Sequence, residues 1–69
     1  MSEHVYKHIE LTGSSKTSIE EAIQNALTKA ATTVRNMRWY VVTETRGYIE
    51  NDVVAYHQVT IKIGFTMED

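Results

Sequence analysis

Three side chains in this sequence are suited to recognising a flat ligand with a polar edge. Trp39 is the only tryptophan. Its electron-rich indole stacks well on an electron-poor heterocycle, and an aromatic pair of this kind gains roughly 0.5–1.5 kcal/mol beyond burial. A lone tryptophan in a small domain is, however, more often a packing anchor than a platform. Gln58 interrupts an apolar run, and its amide offers a donor and an acceptor together, which matches a ring edge carrying both. The plain alternative is a strand glutamine facing solvent. Arg46 can fork onto phosphate oxygens, or it is a solvated strand charge.

Other chemistries lack their residues. The chain has no cysteine and no proline, so it holds neither a thiol nucleophile nor an N-terminal proline base. It also lacks a glycine-rich phosphate loop and a nucleophile elbow. His4 and His8 fall on one face but are roughly 13 Å apart at strand rise, too far for one metal ion. His57 lies on the apolar phase of its own strand and completes no ligand set. Glu20–Glu21 and Glu68–Asp69 read as helix-start and terminal solubilising charges. The expectation is a binding protein, without catalysis or a bound metal. A net charge of −2 and a pI near 5.9 argue against nucleic acid, which needs clustered Lys and Arg.

The elements that position these side chains follow from periodicity. From Val53 to Met67 the chain alternates, with Val59, Ile61, Ile63 and Phe65 on one face and Tyr56, Gln58, Thr60 and Lys62 on the other. The stretch opening at Met37 is a partner strand, joined through Glu50–Asn51–Asp52. Its phase puts Tyr40 and Val42 towards the core, with Trp39, Val41, Thr43 and Thr45 behind, so Trp39 shares a face with Gln58. Gly47 reads as a bulge, and Gly64 as a place where a neighbour approaches closely.

Upstream, Val5–Thr12 alternates as a first strand, with Val5, Ile9 and Leu11 opposite Tyr6, His8 and Glu10. Gly13 and Ser14–Thr17 predict a turn. Ser18 and Glu21 have capping-box spacing. The stripe Ile19, Ala22, Ile23, Ala26, Leu27, Ala30, Ala31 and Val34 predicts a helix ending near Asn36, with Lys29 and Arg35 in its last turns. The order strand, helix, strand, strand predicts an α+β fold in which one helix covers one face of a three-stranded antiparallel sheet.

The other face is too aromatic to stand bare in water. Either it packs on another copy or it holds a ligand. In a straight hairpin Trp39 pairs near Ile63, which leaves Gln58 about five residues, or about 16 Å, away along the strand. A pocket using both therefore needs a second subunit, most simply across a two-fold axis. At 69 residues the chain is one domain, 1–69, that buries only about 60% of its unfolded surface. With no disulfide it is a candidate for oligomerisation, and Tyr48 and Tyr56 are candidates for subunit contacts. No apolar run approaches the roughly 18 residues that span a bilayer, and the polar N-terminus lacks a signal-peptide core. The expectation is a soluble, cytoplasmic protein.

Several stretches together resemble the dodecins: Gly13–Ser14–Ser15 before the helix, Arg38–Trp39–Tyr40, Arg46–Gly47, Tyr56–His57–Gln58–Val59 and Gly64–Phe65. The resemblance covers nearly the whole chain. It implies a βαββ subunit whose strands wrap one helix, assembled into a hollow homo-dodecamer that stores flavin rather than turning it over. By position, Trp39 would stack on the isoalloxazine ring and Gln58 would read its polar edge. Arg46 would meet the phosphate or ribityl end, with Arg38 as a further contact. Thr66 stands where bacterial relatives often carry a basic residue, which keeps riboflavin beside FMN as a ligand. Some relatives are similar in holding coenzyme A, here implicating Lys29, Thr33 and Arg35. The competing reading is a structural oligomerisation module with no small ligand.

Overall fold

The alternating and helical periods of the sequence become four elements in the order β1 (Tyr6–Ser15), α1 (Ile19–Ala30), β2 (Met37–Glu50) and β3 (Val53–Thr66). The computed structural model describes residues 3–67, so Glu68 and Asp69 lie outside the described residues. The longest alternating run takes the centre: the sheet order is β1-β3-β2, and both pairings are antiparallel. The predicted α+β arrangement of a three-stranded antiparallel sheet with one helix is the one observed.

The core is narrow. Val59, Ile61 and Ile63 are wholly buried against Ala22, Ala26 and Ala30, with Ile9, Leu11, Ile23, Leu27 and Met37 packed around them. Alanines on the helix let it lie close to the sheet, and Gly13 completes the approach. A Cβ at Gly13 would sit 2.0 Å from the Ala22 carbonyl oxygen. The predicted turn at Gly13–Ser15 is therefore corrected: these residues continue β1 to Ser15, and Gly13 is there for helix contact, not for chain reversal.

Half of the predicted capping box forms. Ser18 is extended and its Oγ accepts from the Glu21 N–H at 3.0 Å. The reciprocal half is replaced: the Glu21 carboxylate accepts from the hydroxyls of Ser15 and Thr17, while the Ser18 N–H donates to Ser15 Oγ at 3.3 Å. The helix is also shorter than predicted. It ends at Ala30, where Thr32, Thr33 and Val34 form a β-branched run that disfavours continuation, and Thr32 Oγ1 donates to the Lys29 carbonyl at 2.7 Å. Asn36, with φ of 64°, instead turns the chain into β2.

The β2–β3 connection falls where predicted but is shorter than Glu50–Asp52: Glu50 still belongs to β2 and pairs with Val53, leaving Asn51 and Asp52 at φ of 54° and 65°, the left-handed pair of a type I′ turn. The bulges lie elsewhere than predicted. Gly47 pairs regularly with His57, and the register shifts at Arg38, at Thr43 and between Tyr48 and Ile49. Helix α1 packs on β1 and β3; of β2 only Met37, at its start, joins the core beneath the helix. No helix among the described residues is long and apolar enough to cross a membrane.

Candidate functional site

Residues paired across a ladder share a face. The face opposite the helix is thus built in rows: Tyr6 with Thr66; His8 with Gly64 and Trp39; Ser14 with Gln58 and Arg46. Trp39 and Gln58 do share this open face, as predicted. Thr45 does not, because the extra residue at Thr43 reverses the phase and puts Thr45 opposite buried Val59. The same bulge carries Arg46 onto the open face; uninterrupted alternation from Tyr40 and Val42 would have turned it the other way.

At one end of the face the indole reaches from β2 across β3. A Cβ at Gly64 would lie 2.2 Å from both Cε2 and Cζ2 and 2.8 Å from Cδ2. Near-equal distances to adjacent ring atoms mean that the six-membered ring lies flat over the Gly64 backbone. Gly64 thus does allow close approach, and the neighbour is Trp39 itself. Tyr6 meets the indole at a centroid distance of 4.8 Å and 62°, and His8 at 5.8 Å and 85°. Trp39 remains 39% exposed. Arg38, the bulged residue, donates from Nε to Thr66 Oγ1 at 3.1 Å.

A second, polar cluster is centred on Gln58. Its Oε1 accepts from Arg46 Nε at 2.8 Å, and its Nε2 donates to Ser14 Oγ at 3.4 Å. Arg46 Nη1 also meets Glu44 Oε1 at 3.4 Å; both partners are open to solvent, where such a pair contributes little. Beside them Thr12 and Thr60 join hydroxyls at 2.7 Å.

The chain brings Arg46 to Gln58 and Arg38 to Thr66, but it keeps the two clusters apart. Trp39 faces Gly64, one position further than predicted, because the turn is only two residues long and Glu50 already pairs with Val53, while the shifts at Thr43 and between Tyr48 and Ile49 cancel before Trp39 is reached. Gln58 lies six positions before Gly64 on β3, about 20 Å at strand rise. Of the remaining candidates, Thr33 and Arg35 line an open cleft of about 380 Å³ with Lys7, Asn36, Phe65 and Thr66; Lys29 is not in its wall. Tyr6, His8, Ser14 and Glu44 were not among the ligand-site residues expected from the sequence. Tyr6 and His8 were placed on the open face by alternation, but only the central position of β3 brings β1 side chains to Trp39. Among the described residues no cluster of acids and histidines could hold a metal ion.

The dodecin family model matches residues 5–68. A dodecin of Thermus thermophilus is 43% identical over 65 residues, covering 94% of each chain. Two solved structures superpose closely. The dodecin of Streptomyces coelicolor has a TM-score of 0.94 at 42% identity, over 100% of this chain and 99% of that one. The dodecin of Streptomyces davaonensis has a TM-score of 0.94 at 34% identity, over 99% and 100%. Sequence, fold and length therefore agree that this chain belongs to the dodecin family.

Proposed function

We propose that the chain is the subunit of a hollow homo-dodecamer that binds and sequesters flavin, FMN or riboflavin, without turning it over. The observation that carries this reading is the indole of Trp39. One of its faces rests on the Gly64 backbone, and its other face is directed away from the sheet on the side that has no helix. An electron-poor isoalloxazine stacks on that outer face. Because stacked indole donates an electron to the excited ring, bound flavin is dark and shielded from its own photochemistry. The Gln58 amide supplies the donor and acceptor that a flavin's mixed pyrimidine edge requires. Arg46 holds that amide in orientation and, with Arg38, offers charge to the anionic end.

The roughly 20 Å between the two clusters along one strand means that a single ligand meets both only where two copies join. A two-fold junction brings the Gln58 of one copy beside the Trp39 of another and lets paired rings fill the slot. The test is to purify the assembly, release bound material by heat and read its absorption, then titrate free flavin while following its fluorescence. A yellow protein that quenches added flavin is expected, with affinity lost in Trp39→Ala. Retained affinity in that variant would exclude the stacking mechanism, and a colourless assembly that ignores flavin would leave a purely structural module.

A second reading is favoured by the cleft between Lys7, Thr33 and Arg35, where two cations and a hydroxyl suit the phosphates of coenzyme A. In the same heat-release experiment it predicts an adenine spectrum beside the flavin one. Lys7→Ala with Arg35→Ala would abolish the adenine component and leave the flavin component in place.

A further inference from the structure

We infer that Tyr6 and His8 are positioning residues that lock the plane of Trp39 before any ligand arrives. This inference rests on the reading of Trp39 as the flavin platform. Indole is attached to β2, the outer strand of the pair it lies across, and a tryptophan on an edge strand ordinarily has several rotamers open to it. Here three residues remove that freedom. The floor is Gly64, the one position on this row with no side chain, over which the six-membered ring lies flat. The far side is closed by β1, where Tyr6 and His8 stand two residues apart on the same face and meet the indole at 62° and 85°. These are the tilted, edge-on geometries that aromatic quadrupoles favour. Both rings come from a strand that pairs with β3 and not with β2, so the contact also ties the two edges of the sheet together across its centre.

A platform held this way loses little conformational freedom when a ligand stacks on it, and that is where preorganisation adds affinity. The two rings also stand at the border of the exposed indole face. They limit the direction in which a stacked ring extends.

Trp39 is the only tryptophan, so fluorescence anisotropy excited at the red edge beyond tyrosine absorption, and the indole fine structure of the near-ultraviolet circular dichroism at that same edge, report on it alone. Tyr6→Leu and His8→Leu are compared with Tyr6→Phe in the full assembly, its size checked by light scattering. Each Leu variant should lose about half of the indole dichroism and lower its anisotropy without flavin. Flavin dissociation constants should rise about threefold to tenfold, and Tyr6→Phe should restore both signals. An unchanged indole signal in both Leu variants overturns the inference, as does a lowered signal with unchanged flavin affinity. If wild-type protein binds no flavin, the platform reading fails on its own, while the ligand-free signals still decide whether these rings hold the indole. Gly64→Ala approaches the same point from below: it should disturb the indole signals with Tyr6 and His8 intact.

Discussion

Two arginines compete for the role of anion contact, and their partners separate them. Arg46 is engaged by Gln58 and Glu44, which makes it a holder of the amide with its charge partly answered. Arg38 gives Nε to Thr66 Oγ1 at the indole end, and a guanidinium carries five donors. If Arg38 meets the phosphate of FMN, Arg38→Ala should weaken FMN about tenfold and riboflavin less than twofold, since a charged hydrogen bond at a wet site contributes about 1.5 kcal/mol. Thr66→Arg should strengthen FMN by a similar factor and make its binding more sensitive to salt. Fluorescence titration with both flavins at two salt concentrations checks this, and equal shifts for both flavins would remove phosphate recognition from this end.

At the scale of the elements, two glycines of the sheet make opposite demands. A methyl group at Gly13 meets the Ala22 carbonyl oxygen at 2.0 Å and Ala26 Cβ at 3.0 Å, whereas one at Gly47 meets only the Tyr56 carbonyl oxygen at 3.6 Å. Gly13→Ala must push the helix off its strand, and a cost of about 2 kcal/mol or more is expected for such overpacking. Gly47→Ala should be neutral or stabilise by about 0.4–1 kcal/mol through the unfolded chain. Calorimetry of both variants distinguishes a contact glycine from a permissive one. The β1–α1 junction adds a pH dependence. Hydrogen bonds from Ser15 and then Thr17 lower the pKa of Glu21 below its usual value. The stability it contributes is present above the ordinary carboxylate range and is lost as pH falls through the lowered folded value. Wild type should therefore lose more stability than Glu21→Gln on acidification across that range. The same junction shows what a sequence can and cannot reveal. The strict alternation of β3 from Tyr56 onward marks both its buried and open faces, because that stretch carries no extra residue of its own and obeys the two-residue period; the one interruption on this strand, at Ala55, lies before it. The phase of β2 beyond Val42 was not legible, since the bulge at Thr43 follows from pairing geometry that no residue type announces. Gly13 was misread because a glycine that admits a helix looks the same as one that breaks a strand. The helix end was misplaced although its β-branched run was in view. Trp39 and Gln58 were placed correctly on one face; the Tyr6 and His8 contacts were not, because they depend on which strand lies in the middle.

As a whole the molecule is a ribbon of 55 × 20 × 14 Å with a radius of gyration of 14.3 Å, where a compact chain of this length would have about 11 Å. Its helix shelters two strands, so the helix side of β2 presents Tyr40 and Val42 at 46% and 42% exposure, and the hairpin end adds Ile49 at 69% and Val54 at 63%. A core of three aliphatic residues and three alanines is too small to hold such a shape alone. If assembly supplies the missing burial, folding and association are one equilibrium, and stability becomes concentration-dependent. Val42→Asp places a charge on the apolar strip without touching the open face that carries Trp39. It should break the oligomer and lower helical circular dichroism in the same concentration range, and flavin quenching should vanish with them, because the Trp39 and Gln58 clusters then never meet. Light scattering, circular dichroism and flavin fluorescence on one dilution series follow all three. A Val42→Asp protein that stays assembled, or a dissociated monomer that keeps its helix and still quenches flavin, would show that the ribbon supports itself and that its ligand site is complete within one chain.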